Sequence, residues 1–136
     1  MSELIIAVDG PSGAGKSTLS RLLAKSQGYT HIDTGAMYRA VALAARRAGI
    51  APEDGAGLAA LCAGIDITFV SADGGQQVLL NGEDVSVAIR TPEISLLTSQ
   101  VSARPEVREA LLRLQRKMGD AGGVVLEGRD IGTVVF

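Results

Sequence analysis

A chain of 136 residues with 46% hydrophobic content and a formal net charge of −2 is long enough for one compact domain with a core and too short for two full ones. With 3% aromatic residues and no tryptophan it lacks the stacking platforms that single-stranded nucleic acid needs, and its slightly acidic balance supplies no basic field for a polyanion. A single cysteine excludes an internal disulfide, no run approaches the roughly 18 apolar residues of a membrane helix, and no leader pattern opens the chain, so a reducing, cytoplasmic setting away from membranes is expected.

Leu4 to Val8 is an unbroken apolar run stopped by Asp9-Gly10, the pattern of a strand buried on both faces of a parallel sheet. From Lys16 the period becomes helical, with Leu19, Leu22 and Leu23 expected on one stripe and Gly28 closing the helix. Tyr29 to Ile32 reads as a second strand. The following helix carries Met37, Val41 and Ala44 on one side and ends at Gly49. A short helix after Pro52 runs through Cys62, which among Leu58, Ala59, Ala60 and Leu61 reads as a small buried hydrophobe rather than a nucleophile.

Two alternating runs follow, Ile65-Ile67-Phe69 and Val78-Leu80, separated by a turn-rich "ADGG" and followed by Asn81-Gly82; they predict an antiparallel meander inserted into an α/β frame. Thr91 to Gly119 returns to helical spacing, broken at Arg104-Pro105, where one helix ends and another starts with proline in its first turn. "GVVLEG" is again a buried strand. The chain stops on Val134, Val135 and Phe136 with no polar tail, so later core elements are expected beyond it. The expected organisation is a core over 1–62 and 99–136, interrupted by an insert over 63–98.

Three strings carry chemistry. Gly10-Pro11-Ser12-Gly13-Ala14-Gly15-Lys16-Ser17 satisfies G-x-x-x-x-G-K-[ST] between a buried strand and a helix. Its glycines let the backbone wrap phosphate oxygens, the helix N-terminus faces the anion, Lys16 reaches the β/γ-phosphates and Ser17 offers a hydroxyl to Mg²⁺. In "HIDTGAMYRA", Asp33 and Thr34 stand at a strand's carboxyl end, where ligands gather in open α/β sheets, and Arg39 follows in the helix, placed to grip a second phosphate. Asp33 or Thr34 also suits a helix cap, and the two roles are compatible. His31, a lone histidine in a strand, reads as structural. In "LEGRDIGT", Arg129 and Asp130 directly follow a strand, either as a structural ion pair or as the flanks of a cleft for an anionic, hydrogen-bonding acceptor, with Glu127 a candidate for orienting a metal-bound water. Ten arginines against three lysines fit phosphate clamping, although a GC-rich coding bias produces the same ratio.

Taken together, "DGPSGAGKST", "DTGAMYRA" and "EGRDIGTVVF", with "GEDVSVAIRTPEIS" and "SQVSARPEVREALLRLQR" between them, resemble the bacterial cytidylate kinase family from the first strand to the last residue. The resemblance implies a P-loop fold of α/β class, with a parallel core sheet, an antiparallel monophosphate-side insert, and a later lid that this chain does not reach. It implies phosphoryl transfer from ATP to CMP or dCMP with Mg²⁺, by a monomer with no nucleic-acid or membrane partner. By motif, Gly13, Ala14, Gly15, Lys16, Ser17 and Thr18 would hold the ATP phosphates and the metal. Thr34, Arg39 and Arg129 would contact the acceptor's phosphate side, and Ser99, Arg108 and Asp130 the cytosine and neighbouring sugar. An Asp carboxylate suits cytosine's exocyclic amine, a donor that uracil lacks. The resemblance further implies that this piece alone is inactive without the lid. The rivals are a P-loop kinase for another small acceptor and a non-catalytic nucleotide-binding module.

Overall fold

The structure, a computed structural model, describes residues 5–9, 16–72, 75–120 and 122–128. It contains β1 (Ile5–Asp9), α1 (Lys16–Gln27), β2 (Thr30–Asp33), α2 (Thr34–Ala48), α3 (Gly55–Gly64), β3 (Ile67–Ala72), β4 (Gly75–Leu80), β5 (Glu83–Asp84), α4 (Pro92–Val101), α5 (Pro105–Gly119) and β6 (Val124–Gly128), with a short 3₁₀ turn over Ala88–Arg90. The chain forms two compact units, Met1–Gly35 with Leu114–Phe136, and Ala36–Arg113. None of the described helices is long and apolar enough to cross a membrane.

The first unit is built on a parallel sheet in the order β1-β6-β2. Two of its strands, β1 and β6, are the apolar runs read from the sequence, and β2 lies one residue along from the strand expected over Tyr29 to Ile32. The last strand in sequence is the middle one in space: β6 pairs with β1 from Ile5↔Val124 to Asp9↔Gly128, and with β2 from Thr30↔Val124 to Asp33↔Glu127. All five of its residues are buried. Helix α1 supplies Leu23 and Ala24 to a cluster with Val125, Ile6 and Tyr29. The expected Leu19-Leu22-Leu23 stripe is therefore displaced. Leu19 and Leu22 are 51% and 61% exposed, whereas Ser20 and Ala24 are buried. The inward face follows the i, i+3, i+4 spacing through Ser20, Leu23 and Ala24, where two small side chains let the helix lie close to the sheet.

Two helices end as the sequence predicts. At Gly28 (φ +69°), the Gly28 N–H donates to Lys25 O at 3.4 Å and the Tyr29 N–H to Ala24 O at 2.8 Å. At Gly49 (φ +71°), the Gly49 N–H donates to Arg46 O at 3.1 Å and the Ile50 N–H to Ala45 O at 2.9 Å. Both are Schellman closures, which satisfy orphan carbonyls and need a residue that tolerates positive φ.

The second unit contains most of α2. Met37, Val41 and Ala44 are buried as expected, but so are Ala36, Ala40, Ala42, Leu43 and Ala45. The helix is thus enclosed on all sides rather than along one stripe, and its many alanines permit close neighbours. Its last turn emerges to place Arg46 against Glu93 (2.8 Å) and Arg47 in a two-pronged contact with Glu83 (2.9 and 3.0 Å), cations where the helix dipole favours them. Helix α3 starts on an Asp54 cap, whose carboxylate accepts from the Gly57 N–H at 2.9 Å, and buries Leu58 and Cys62 one turn apart.

The predicted meander is present: β3, β4 and β5 pair antiparallel, with Ile67↔Leu80, Phe69↔Val78 and Leu80↔Glu83 in register. Asn81 and Gly82 both have positive φ (52° and 84°), the conformation that a two-residue hairpin turn requires. Ile67, Val78 and Leu80 form its buried face. Thr91 caps α4 through its Oγ1, which accepts from the Ile94 N–H, and Pro92 and Pro105 occupy the first turns of α4 and α5.

Because a Cβ at Gly28 or Gly49 would meet nothing within 4 Å, substitution there tests backbone conformation alone. Gly28→Ala and Gly49→Ala should each lower the unfolding free energy by about 1 kcal/mol, measured by urea denaturation of the whole protein.

Candidate active site

In the first unit the carboxyl ends of the three parallel strands lie level, since Asp9 pairs with Gly128 and Asp33 with Glu127. Each end leads into one of the three chemical strings. β1 runs into the glycine-rich loop, whose Gly10, Pro11, Ser12, Gly13, Ala14 and Gly15 lie outside the described residues. Helix α1 begins at Lys16, so Lys16, Ser17 and Thr18 form its first turn. β6 runs into Arg129 and Asp130, also outside the described residues, and β2 into Asp33 and Thr34.

The β2 and β6 ends are joined by side chains. Thr34 opens α2, buried, and its Oγ1 donates to Glu127 O at 2.8 Å. That bond engages the hydroxyl proton and leaves the oxygen's lone pairs able to accept. Glu127 Oε1 lies 2.9 Å from His31 Nε2, with both residues buried. The lone histidine of the second strand is thus one side of a buried polar pair, and Glu127 is held through its carboxylate and its main chain together. Asp33 is half-buried beside them.

The second unit gathers further candidates. Arg39 Nη1 donates to Ile89 O at 3.1 Å and to Ser95 Oγ at 2.7 Å. Ser99, one turn along α4 from Ser95, is exposed, and its Oγ donates to Ser95 O at 3.4 Å. Arg108, in the first part of α5, stands beside Tyr38: burial pushes the Tyr38 phenol up, and the Arg108 guanidinium, by its charge and a hydrogen bond, pulls the other way. Arg39 is therefore brought to Ser95, and Arg108 to Tyr38. Ser95 and Tyr38 were not singled out from the sequence. Both had a signal: Ser95 precedes Ser99 by four residues on one helix, and Tyr38 sits directly before Arg39.

Cys62 does not belong to either group. It is buried, and burial pushes its thiol above the ordinary value, with only a partial opposing pull from Arg113. Among the described residues no group of three or more His, Cys, Asp or Glu side chains is arranged to hold a metal.

The family model for cytidylate kinase matches residues 6–136. A cytidylate kinase from Syntrophotalea carbinolica is 70% identical over 134 residues, covering 98% of this chain and 57% of that protein. A cytidylate kinase from Geobacter sulfurreducens is 67% identical over 133 residues, again 98% of this chain and 57% of the relative. A bifunctional pantoate ligase/cytidylate kinase from Synechocystis is 54% identical over 134 residues, which make up 26% of that longer protein. The chain thus spans 57% of the length of the first two of these relatives.

Removing the imidazole from the buried pair takes away the His31 Nε2 contact to the Glu127 carboxylate. His31→Ala should lower the unfolding free energy by about 2–3 kcal/mol in chemical denaturation, and Glu127→Gln, which retains an acceptor, should cost less. A second expectation concerns alkali. Cys62 and Tyr38 both have raised values in the folded state, so above about pH 9 the unfolded chain has released protons that the native one retains. Stability should therefore fall as pH rises from 9 to 11, and Cys62→Ala should flatten part of that slope in a series of thermal melts.

Proposed function

The chain belongs to the cytidylate kinase family, and on that premise we propose that the protein transfers the γ-phosphoryl group of ATP to CMP or dCMP, giving ADP and CDP or dCDP. The observation that carries this reading is the level edge of the parallel sheet, where three strands deliver the glycine-rich loop, the Asp33-Thr34 step and the Arg129-Asp130 step in common register. Donor and acceptor chemistry is then concentrated at the carboxyl ends of the strands, the usual ligand position in such sheets.

In this reading the backbone N–H groups of the Gly10 to Gly15 loop other than Pro11, with the start of α1, bind the ATP phosphates, Pro11, Ser12, Gly13 and Ala14 shape the loop and Thr18 completes the first turn. Lys16 neutralises charge on the β/γ-phosphates. Ser17 would hold Mg²⁺, since a hard hydroxyl oxygen on the helix that opens directly after the loop suits that ion. When bound, the ion supplies charge neutralisation to the phosphates. Thr34, Arg39 and Arg129 hold the acceptor's phosphate, Asp33 borders it, and Ser99, Arg108 and Asp130 recognise cytosine and the sugar. Asp130 accepts from the exocyclic amine and so disfavours uracil.

Phosphoryl transfer through a loose transition state needs in-line placement and charge neutralisation rather than a covalent relay. The attacking group is therefore an oxygen of the CMP phosphate, acting directly on the γ-phosphorus while ADP departs. Lys16, Arg39 and Arg129 act by charge and position. The low aromatic content and slightly acidic charge favour small-molecule partners over nucleic acid, and a cytoplasmic monomer away from membranes belongs to the same proposal.

A coupled ADP-release assay on the full-length protein across CMP, dCMP, UMP, AMP and shikimate tests the assignment. CMP and dCMP should be strongly preferred, and preference for any other acceptor would overturn it. Lys16→Ala should reduce turnover at least about a thousandfold with an unchanged thermal melt.

A further inference from the structure

One arginine of the proposed acceptor site has a supporting structure of its own. Arg39 Nη1 carries two hydrogens, and the structure gives it two acceptors, Ile89 O at 3.1 Å and Ser95 Oγ at 2.7 Å. The Nε–Nη2 edge of the guanidinium makes no hydrogen bond or ion pair to another described residue. That edge is the fork which grips two oxygens of a phosphate or carboxylate at once.

The two acceptors are themselves fixed. Ile89 is fully buried, and its N–H donates to Val85 O at 3.0 Å from an equally buried Val85. Ser95 lies in the first turn of α4, beside the buried Ile94 and just after the Thr91 cap. A flexible side chain is therefore tied at one nitrogen by a main-chain carbonyl and a hydroxyl on rigid elements, with its two-pronged edge left for a ligand. This arrangement cuts the conformational entropy that an unsupported arginine would lose on binding an anion.

Resting on the reading of Arg39 as an acceptor-phosphate ligand, we propose that Ser95 is a positioning residue, which with Ile89 O pre-sets the Arg39 guanidinium so that its Nε–Nη2 edge receives the phosphate of the acceptor nucleotide. Ser95 does not touch the nucleotide. Its effect is confined to the phosphate and does not extend to the base or to ATP.

The test uses the full-length protein, with steady-state kinetics in which CMP and ATP are varied separately. Ser95→Ala should raise the KM for CMP about tenfold, leave the KM for ATP within about twofold, and keep the thermal melt in place. Ser95→Thr, which retains the hydroxyl, should restore the CMP KM. In an Arg39→Met background the Ser95→Ala change should have no further effect, since the arginine through which it acts is gone. A Ser95→Ala protein with wild-type KM for CMP, or with both KM values raised equally, would overturn the inference while leaving the function standing. A wild-type protein that does not use CMP would overturn the function, and the inference with it.

Discussion

A parallel sheet has a polarity that an antiparallel one lacks: all its carboxyl ends lie at one edge. In this protein that edge depends on β6 entering between β1 and β2, which levels Asp9 with Gly128 and Asp33 with Glu127. Without β6, the strand that leads to the glycine-rich loop and the strand that leads to Asp33 and Thr34 have no hydrogen-bonded neighbour in common. The bonds of Glu127 reinforce the arrangement, with its carboxylate on His31 and its carbonyl on Thr34. A buried carboxylate is costly unless its oxygens are bonded, and the cost of leaving it unsatisfied is what makes the register of the β6 end specific.

The second unit uses a different physical device to reach a comparable end. Helix α2 is enclosed by neighbours along most of its length, and its alanines make that possible. An enclosed helix has little freedom to shift, so the polar side chains it carries start from a fixed backbone. Tyr38 and Arg39 stand next to each other in this region, one facing Arg108 and the other tied to Ile89 O and Ser95. The exposed ion pairs at the far end, Arg46 with Glu93 and Arg47 with Glu83, are of the kind that contributes little to stability in water. The rigid setting of Arg39 comes from packing, and surface charge has little part in it.

Glu127 and Arg39 also illustrate how one residue type can be read in two ways. An acidic residue at a strand end suggests metal chemistry, yet the Glu127 carboxylate lies within hydrogen-bond distance of a histidine two strand positions back from Asp33. An arginine in a helix suggests phosphate binding or a surface charge. The bonds at its Nη1 hold the guanidinium against Ile89 O and Ser95 Oγ, which suits the first of these readings as proposed.

Much of the local structure was legible because it depends on neighbours in sequence. The helix closures at Gly28 and Gly49, the Asn81-Gly82 turn, the helix started by Pro105 and the alternating runs of the meander all follow from backbone conformation and short-range periodicity. What the sequence alone could not decide was long-range. The stripe expected on α1 turned by one position because the sheet accepts small Ser20 and Ala24 in place of Leu19 and Leu22. The last strand became the central one, His31 found a partner 96 residues away, and Ser95 met Arg39 across 56. Local rules set which segments are strands and helices. Only tertiary packing chose the neighbours, because burying each apolar face and satisfying each buried polar group depends on which distant residues arrive beside it.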